Sequence, residues 1–119
     1  MITALAPNEI FVFGSNLAGR HGAGAARQAY ECFGAQMGCG EGMTGRSYAF
    51  PTLNWHLAKR SIEAIRHSRD VLFDCCRAHP NKRFLLTKVG CGLAGYPESE
   101  MRALFIDPPE NLILPEEWK

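Results

Sequence analysis

Two glycine-rich stretches carry most of the residues that could do chemistry. The first runs from Ser15 to Ala25 and includes Asn16, Arg20 and His21, and the second runs from Gly90 to Tyr96. Small residues let an anion approach peptide N–H groups, and the first N–H groups of a helix also lie at the positive end of its dipole. These stretches predict main-chain binding of a phosphate-bearing ligand. Glycines that only supply positive φ in tight turns are the alternative interpretation.

The predicted ligand-binding residues all belong to these two loops. His21 is the best candidate for acid–base work, because imidazole groups titrate near neutral pH, and a solvated loop histidine is the alternative. Tyr96 is suited either to stacking on a ribose or base or to packing in the core. The full set is Ser15, Asn16, Arg20, Gly22, Ala23, Gly24, Ala25, Gly90, Cys91, Gly92, Leu93, Ala94, Gly95 and Tyr96.

Short apolar runs precede the loops and predict the strands that position them. Ile10–Phe13 and Arg83–Val89 have the continuous apolar character of strands buried on both faces. Tyr48–Phe50 predicts a further strand that Pro51 ends, since proline cannot donate to a sheet ladder. Asn111–Leu114 predicts a last short strand.

Helical spacing fills the segments between these strands. A first helix is expected to bury Ala26, Tyr30 and Phe33 and to stop at Gly34. A long second helix, capped by Thr52 or Asn54, carries an apolar stripe and stops at Pro80. A third has Pro97 at its first position and turns Met101, Leu104 and Phe105 inward, with Glu98 and Glu100 in its first turn.

The alternation of strands and helices predicts an α/β fold with three layers and a mostly parallel sheet. Ligands of such sheets bind at the carboxyl ends of the strands, and both glycine loops leave strands at that end. With Arg20 and Arg46 nearby, the two loops together predict a cradle for a diphosphate. The glycine-rich segment from Gly34 to Gly45 is expected to be a loop, either mobile or wrapped close to the ligand.

Length and composition narrow the functional classes. The 119 residues predict a single domain, 1–119, and a net charge of +1 without a basic stripe gives no nucleic-acid signature. The chain shows no signal peptide and no apolar run as long as a membrane span, so a cytoplasmic protein is expected. Its five cysteines include no CxxC pair, which predicts free thiols and no metal site, and no cofactor is expected.

Three sequence blocks resemble the macrodomain superfamily, which binds ADP-ribose and includes enzymes that remove it or hydrolyse its phosphate. FVFGSN followed by GRHGAGAARQAY is similar to the family's strand, asparagine and phosphate loop. YAFPT is similar to its middle strand, and FLLTKVGCGLAGYP to its second loop. The chain most resembles a compact group of uncharacterised bacterial and phage proteins in this superfamily, with the likeness covering about residues 9 to 114.

The resemblance implies binding of ADP-ribose or a related nucleotide diphosphate, free or on an ADP-ribosylated macromolecule. It places Asn16 near the distal ribose, Gly22–Ala25 at the phosphate loop and Gly92–Tyr96 at the second diphosphate loop. The sequence begins almost directly at the first strand and lacks the family's preceding strands with their adenine-holding acid, so the resemblance does not extend to adenine recognition. The aspartate that follows the glycines in many of its hydrolases is replaced by Ala25 or Ala26.

Three functional classes therefore stay open. If the chain is an enzyme, it is an ADP-ribosyl hydrolase or an ADP-ribose phosphate phosphatase, with Asn16 and His21 as catalytic residues. The second class is a binding module, which does not need the aspartate that many of the hydrolases carry. The third class is a non-catalytic interaction protein whose glycine loops are structural. A dinucleotide-dependent oxidoreductase is disfavoured, because Arg27 stands at the third glycine of the GxGxxG pattern.

Overall fold

Strands and helices alternate along most of the chain in the computed structural model, which describes residues 2–119. The predicted α/β class is therefore confirmed. In chain order the elements are β1 (Glu9–Asn16), α1 (Gly24–Cys32), β2 (Gly42–Thr44), β3 (Ser47–Leu53), α2 (Ile62–Ala78), β4 (Arg83–Leu86), α3 (Glu98–Leu104), β5 (Leu112–Ile113) and a 3-10 helix at Glu116–Trp118.

The strands form one mixed sheet of five strands in the order β2-β3-β1-β4-β5. Strand β1 lies in the middle, and Phe11 has parallel partners on both sides, Ser47 in β3 and Leu85 in β4. Strands β4 and β5 are also parallel, whereas β2 pairs antiparallel with β3 at one edge. The apolar run of β1 thus corresponds to a central strand, as its composition predicts.

Successive residues of β1 pack into different apolar clusters because side chains alternate across a strand. Phe11 and Phe13 pack with Ala29 of α1 in one cluster. Ile10 and Val12 belong to the other cluster, which includes residues of α2 and α3. Helices therefore cover β1 on both faces, and the carboxyl end of the strand is left to the loops.

Helix α1 differs from its predicted burial at one position. Ala26 and Ala29 are buried, and Phe33, just beyond the last turn, is 5% exposed. Tyr30, which was expected inward, is 47% exposed. The inward positions follow the spacing i, i+3, i+7, and Tyr30 falls on the neighbouring face.

Pro51 does not end its strand. Strand β3 continues through Pro51 to Leu53, and β2 pairs only with its first part, Ser47–Ala49. The N–H of Phe11 donates to the carbonyl of Arg46, so the alternation along the strand turns the nitrogen of Pro51, five residues later, away from β1. On that side β2 pairs no further than Ala49, so within residues 2–119 the missing N–H of Pro51 breaks no ladder bond.

The second helix begins later than the sequence indicates. Neither Thr52 nor Asn54 caps it, because Thr52 lies in β3 and Asn54 organises a turn before the helix. The cap is Ser61, whose Oγ accepts a hydrogen bond from the Ala64 N–H at 3.1 Å. The helix ends at Ala78, two positions before Pro80, as expected.

Smaller differences lie at the remaining elements. Part of the glycine-rich Gly34–Gly45 segment is strand β2, and β4 ends at Leu86 rather than at Val89. Pro97 is the N-cap of α3 instead of its first helical residue. Trp118, in the polar tail, is buried against Phe105. Within residues 2–119, no helix combines the length and apolar character that a membrane span requires.

Candidate functional site

Both glycine loops line one cavity of about 690 Å³ at the carboxyl end of β1. Its wall brings together most of the predicted binding residues. These are Ser15, Asn16, Arg20, Gly22, Ala23, Gly24, Ala25, Gly90, Gly92, Leu93 and Ala94. Residues that the sequence did not predict to bind a ligand complete it, namely Gly14, Ala26, Thr52, Leu53, Leu57, Thr87, Lys88 and Val89.

Of the lining residues that were not predicted, Thr52 and Thr87 were the easiest to find from the sequence. Thr52 lies near the carboxyl end of β3 and Thr87 directly follows β4, two strands that run parallel to β1, and ligand clefts of parallel sheets lie beyond the carboxyl ends of the strands. The rule applied to Ser15 and Asn16 would therefore have found both threonines. Leu57 had no comparable signal, because it lies in a turn outside the glycine loops.

The first loop is held in shape by the side chain of Asn16. Its Oδ1 accepts a hydrogen bond from the Arg20 N–H, and its Nδ2 donates to the Arg20 carbonyl, both at 2.9 Å. Asn16 therefore folds the chain back on itself and brings Gly22–Ala25 to the cavity wall. Helix α1 then begins at Gly24 with no side-chain cap and no acid in its first turn. Its first N–H groups are free for an anion.

The second loop is folded by its own backbone. The Gly95 N–H donates to the Gly92 carbonyl and the Tyr96 N–H to the Gly90 carbonyl, each at 2.9 Å. Within residues 2–119, the N–H groups of Gly92, Leu93 and Ala94 donate to no backbone carbonyl. A second set of free main-chain donors therefore borders the same cavity.

Gly22 and Gly92 leave open space where other residues would carry a Cβ. An added Cβ would meet no atom within 4 Å at either position, and neither has a positive φ. Turn geometry and packing therefore do not require glycine there. The bare main chain at these two positions keeps the cavity accessible to a group that approaches the backbone closely.

The charged residues on the wall are basic. Arg20 is exposed, and within residues 2–119 its guanidinium forms no hydrogen bond or ion pair. Lys88 Nζ lies 3.2 Å from both Glu98 Oε1 and Glu117 Oε2, and these contacts raise its pKa. No aspartate or glutamate is among the lining residues of the described chain. The wall thus favours an anion, with Arg20 as its free cation.

His21 lies outside the cavity, contrary to expectation. Its ring is 1% exposed, packs edge-on against Phe13 and has Nε2 2.8 Å from the Gln36 carbonyl, to which it donates. Within residues 2–119, its Nδ1 has no hydrogen-bond partner. The side chain anchors the first loop to the segment after α1.

Three residues of the second loop also do not line the cavity. The Tyr96 hydroxyl donates to the Arg60 carbonyl, and Lys59 Nζ lies 3.8 Å from the centre of the Tyr96 ring. The Cys91 thiol donates to the Val89 carbonyl, and burial raises its pKa. Gly95 adopts φ 72° in the turn and does not line the cavity. These residues fold the loop rather than lining the cavity.

The hydroxyl groups at the site donate to backbone carbonyls. Ser15 Oγ donates to the Gly40 carbonyl at 2.6 Å, and Thr87 Oγ1 to the Val12 carbonyl at 2.8 Å. Thr52 Oγ1 lies 3.5 Å from the Ser15 carbonyl. No histidine, carboxylate or thiol is among the lining residues of the described part of the chain, and the raised pKa of Lys88 keeps its amine protonated, so the wall presents no general base for a hydroxyl nucleophile.

The Gly34–Gly45 segment supports the first loop and is not part of the cavity wall. A Cβ on Gly40 would lie 2.5 Å from the Asn16 carbonyl oxygen, so the two chains are in close backbone contact. The Gly38 N–H donates to the Gly19 carbonyl at 2.9 Å. Arg46 lies near the other end of β3, where its guanidinium donates to the carbonyls of Leu5 and Ala6.

A second cavity of about 490 Å³ lies near the amino ends of β1 and β4, where its wall includes Asn8, Arg77, Lys82 and Arg83. Its described lining contains no glycine and none of the predicted ligand-binding residues. Arg77 and Arg83 contact Asp74 and Glu9 at 3.5 Å. The cavity at the carboxyl end is therefore the candidate site.

Comparison of the chain with protein-family models, with curated proteins and with solved structures gives no match to any of them.

Proposed function

We propose that this chain binds ADP-ribose or a related nucleotide diphosphate through its two glycine loops. The observation that carries the proposal is the bare main chain at Gly22 and Gly92 on one cavity wall, with open space at both Cβ positions. Free N–H groups at the start of α1 and in the second loop, together with Arg20, suit a diphosphate. The volume of about 690 Å³ falls within the range of small-molecule sites.

The proposal includes a macrodomain-like arrangement with three layers. Its support is the packing of α1 against one face of β1, and of residues from α2 and α3 against the other. The sequence blocks that resemble the superfamily coincide with the elements that border the cavity. An ADP-ribosylated macromolecule in the cytoplasm is the partner that this arrangement would serve, and the five free thiols agree with a reducing compartment.

Binding is favoured over hydrolysis by the chemistry of the wall. His21, the best candidate for acid–base work, is buried beside Gln36 and does not line the cavity. The Asn16 amide is held by the backbone of Arg20. We therefore propose a binding module, with ADP-ribosyl hydrolase and ADP-ribose phosphate phosphatase activities as the less favoured alternatives.

Thermal denaturation with and without ADP-ribose tests this function. A ligand at about a hundred times its Kd stabilises the folded state by about 2.7 kcal/mol, which raises the Tm of a domain of this size by roughly 10 °C. Gly22→Ala and Gly92→Ala should leave the ligand-free Tm unchanged or slightly higher, because the added methyl groups meet no atom. Both variants should lose most of the ligand-induced shift.

Arg20→Ala and its control Arg66→Ala test whether the positive charge on the cavity wall contributes to binding. Both arginines are exposed, but only Arg20 lines the cavity. Arg20→Ala should weaken ADP-ribose binding, whereas Arg66→Ala should not. No Tm rise in the wild type, or an equal rise in both glycine variants, would refute the proposal.

A further inference from the structure

Leu57 is held in a backbone conformation that leucine rarely adopts. Its φ is 63°, in the left-handed region where Cβ crowds the following carbonyl. The turn is fixed around it, since Asn54 Oδ1 accepts hydrogen bonds from the N–H groups of His56 and Ala58 at 2.8 and 3.0 Å. The Leu57 N–H also donates to the Asn54 carbonyl at 3.1 Å.

Packing inside the protein does not explain a leucine at this strained position. The side chain is 46% exposed and lines the cavity. Glycine or asparagine would adopt the same φ at lower cost. A strained residue that is kept rigid at a ligand cavity points to a contact with something outside the chain.

Leu93 is a second exposed apolar side chain at this cavity, and it belongs to a different loop. It stands between Gly92 and Ala94 in the second loop, is 88% exposed and lines the same cavity. Two large apolar side chains from unrelated loops are thus open to solvent at one cavity. The nearby free N–H groups of Gly92, Leu93 and Ala94 supply polar donors.

We propose that Leu57 and Leu93 form the contact surface for a planar heteroaromatic ring of the bound ligand. The inference rests on the proposed function and extends it, because it makes the ring a determinant of affinity beside the diphosphate. A ring has apolar faces that leucine side chains can cover and polar edges that can remain in water at an open site. A sugar phosphate or a bare diphosphate would leave both leucines exposed to water.

Isothermal titration calorimetry with ADP and with inorganic pyrophosphate separates the ring from the phosphates. Leu93→Ser should weaken ADP binding about tenfold, the change expected when one leucine loses its apolar contact, and should weaken pyrophosphate binding by a smaller factor, because serine keeps the main-chain N–H. Leu57→Asn should weaken ADP binding similarly. It should also raise the Tm of the free protein, because asparagine tolerates the left-handed conformation better. If Leu57 had only a structural role, its replacement would not give a variant that is more stable and yet binds ADP more weakly.

Ile106→Ser is the matched control, because Ile106 is 66% exposed and does not line the cavity. It should change neither affinity. If the wild type binds pyrophosphate as tightly as ADP, or if both leucine variants keep their ADP affinity, the ring contact is overturned while the diphosphate site stands. If the wild type binds neither probe, the proposed function fails, and the ring contact fails with it.

Discussion

Gly90 and Gly92 lie two residues apart in the second loop and have different structural reasons to be glycine. Gly90 has φ 79°, and a Cβ added there would lie 2.4 Å from the sulfur of Met101, a fully buried residue of α3. At Gly92 the same atom would meet only open space. The first glycine is required by the fold, and the second is available to a ligand.

Adding one methyl group at Gly90 or at Gly92 should therefore have different effects on the free energy of unfolding. Gly90→Ala should lower the free energy of unfolding by about 1–3 kcal/mol, because it combines a strained φ with overpacking against Met101. Gly92→Ala should not lower it, since the methyl group is unopposed. Urea denaturation of the two variants measures the difference. Equal losses would contradict the packing described for Gly90.

Polar side chains near the cavity are used mainly to shape the loops. Asn16 is bonded through both ends of its amide to the backbone of Arg20. His21 bonds to Gln36, and Tyr96 to Arg60. What these residues leave for a ligand is a rigid arrangement of main-chain N–H groups, which is the form in which anion donors are most preorganised.

At the scale of elements, the three α-helices begin differently. Helix α2 has the Ser61 cap and Glu63 in its first turn, and α3 has Glu98 and Glu100. Within residues 2–119, helix α1 has neither a side-chain cap nor an acid in its first turn. Of these helices, α1 is the one whose amino terminus borders the cavity, where a capping side chain would compete with an anion for the same N–H groups.

The Ser61 cap gives a direct test of where α2 begins. Ser61→Ala should lower the free energy of unfolding by about 1 kcal/mol, because the Ala64 N–H loses its partner. Ser99→Ala, at an exposed position in the first turn of α3, is the control and should change stability by less than about 0.5 kcal/mol. Chemical denaturation of both variants provides the comparison. A start at Thr52 or Asn54 would make Ser61→Ala neutral.

At the scale of the whole molecule, one charged network joins Lys88 on the cavity wall to the carboxyl-terminal tail. Lys88 contacts Glu98 and Glu117, and the Trp118 indole N–H donates to Glu98 Oε1 at 3.0 Å. Trp118 is buried and stacks with Phe105, with ring centres 6.0 Å apart. The tail is therefore connected to α3 and to the cavity wall at once.

The network predicts a pH dependence of stability. The hydrogen bond from Trp118, followed by that from Lys88, lowers the pKa of Glu98 below its ordinary value of 4.5. An acid with a lowered folded-state pKa stabilises the fold above its unfolded pKa, and this contribution disappears as pH falls through the folded value. The stability advantage of wild type over Glu98→Gln should therefore be present above pH 4.5 and vanish in more acidic solution.

Urea midpoints of both proteins, measured from neutral pH to well below 4.5, test this expectation. Glutamine keeps an oxygen that can accept from Trp118 but removes the charge that faces Lys88. Glu100→Gln, in the same first turn of α3, is the control for a general loss of negative charge. A difference between wild type and Glu98→Gln that does not change with pH would show that the charge of Glu98 contributes nothing.

The sequence alone determined the α/β class, the order of the main elements and the position of both glycine loops. These features depend on local patterns: the apolar runs of β1 and β4, the helical spacing of α2 and the clustering of small residues. The sequence also predicted that the loops would leave parallel strands at one end, since that follows from alternating strands and helices. Gly22 and Gly92 could be identified before the fold was known.

Tertiary structure decided which side chains face the cavity, because their partners lie far along the chain. His21 is paired with a carbonyl 15 residues away, Tyr96 with one 36 residues away and Arg46 with one 41 residues away. Pro51 continues a strand because its neighbour β2 stops at the partner of Ala49. Local patterns specify which element a residue joins, but the partner of a polar group depends on how distant elements pack.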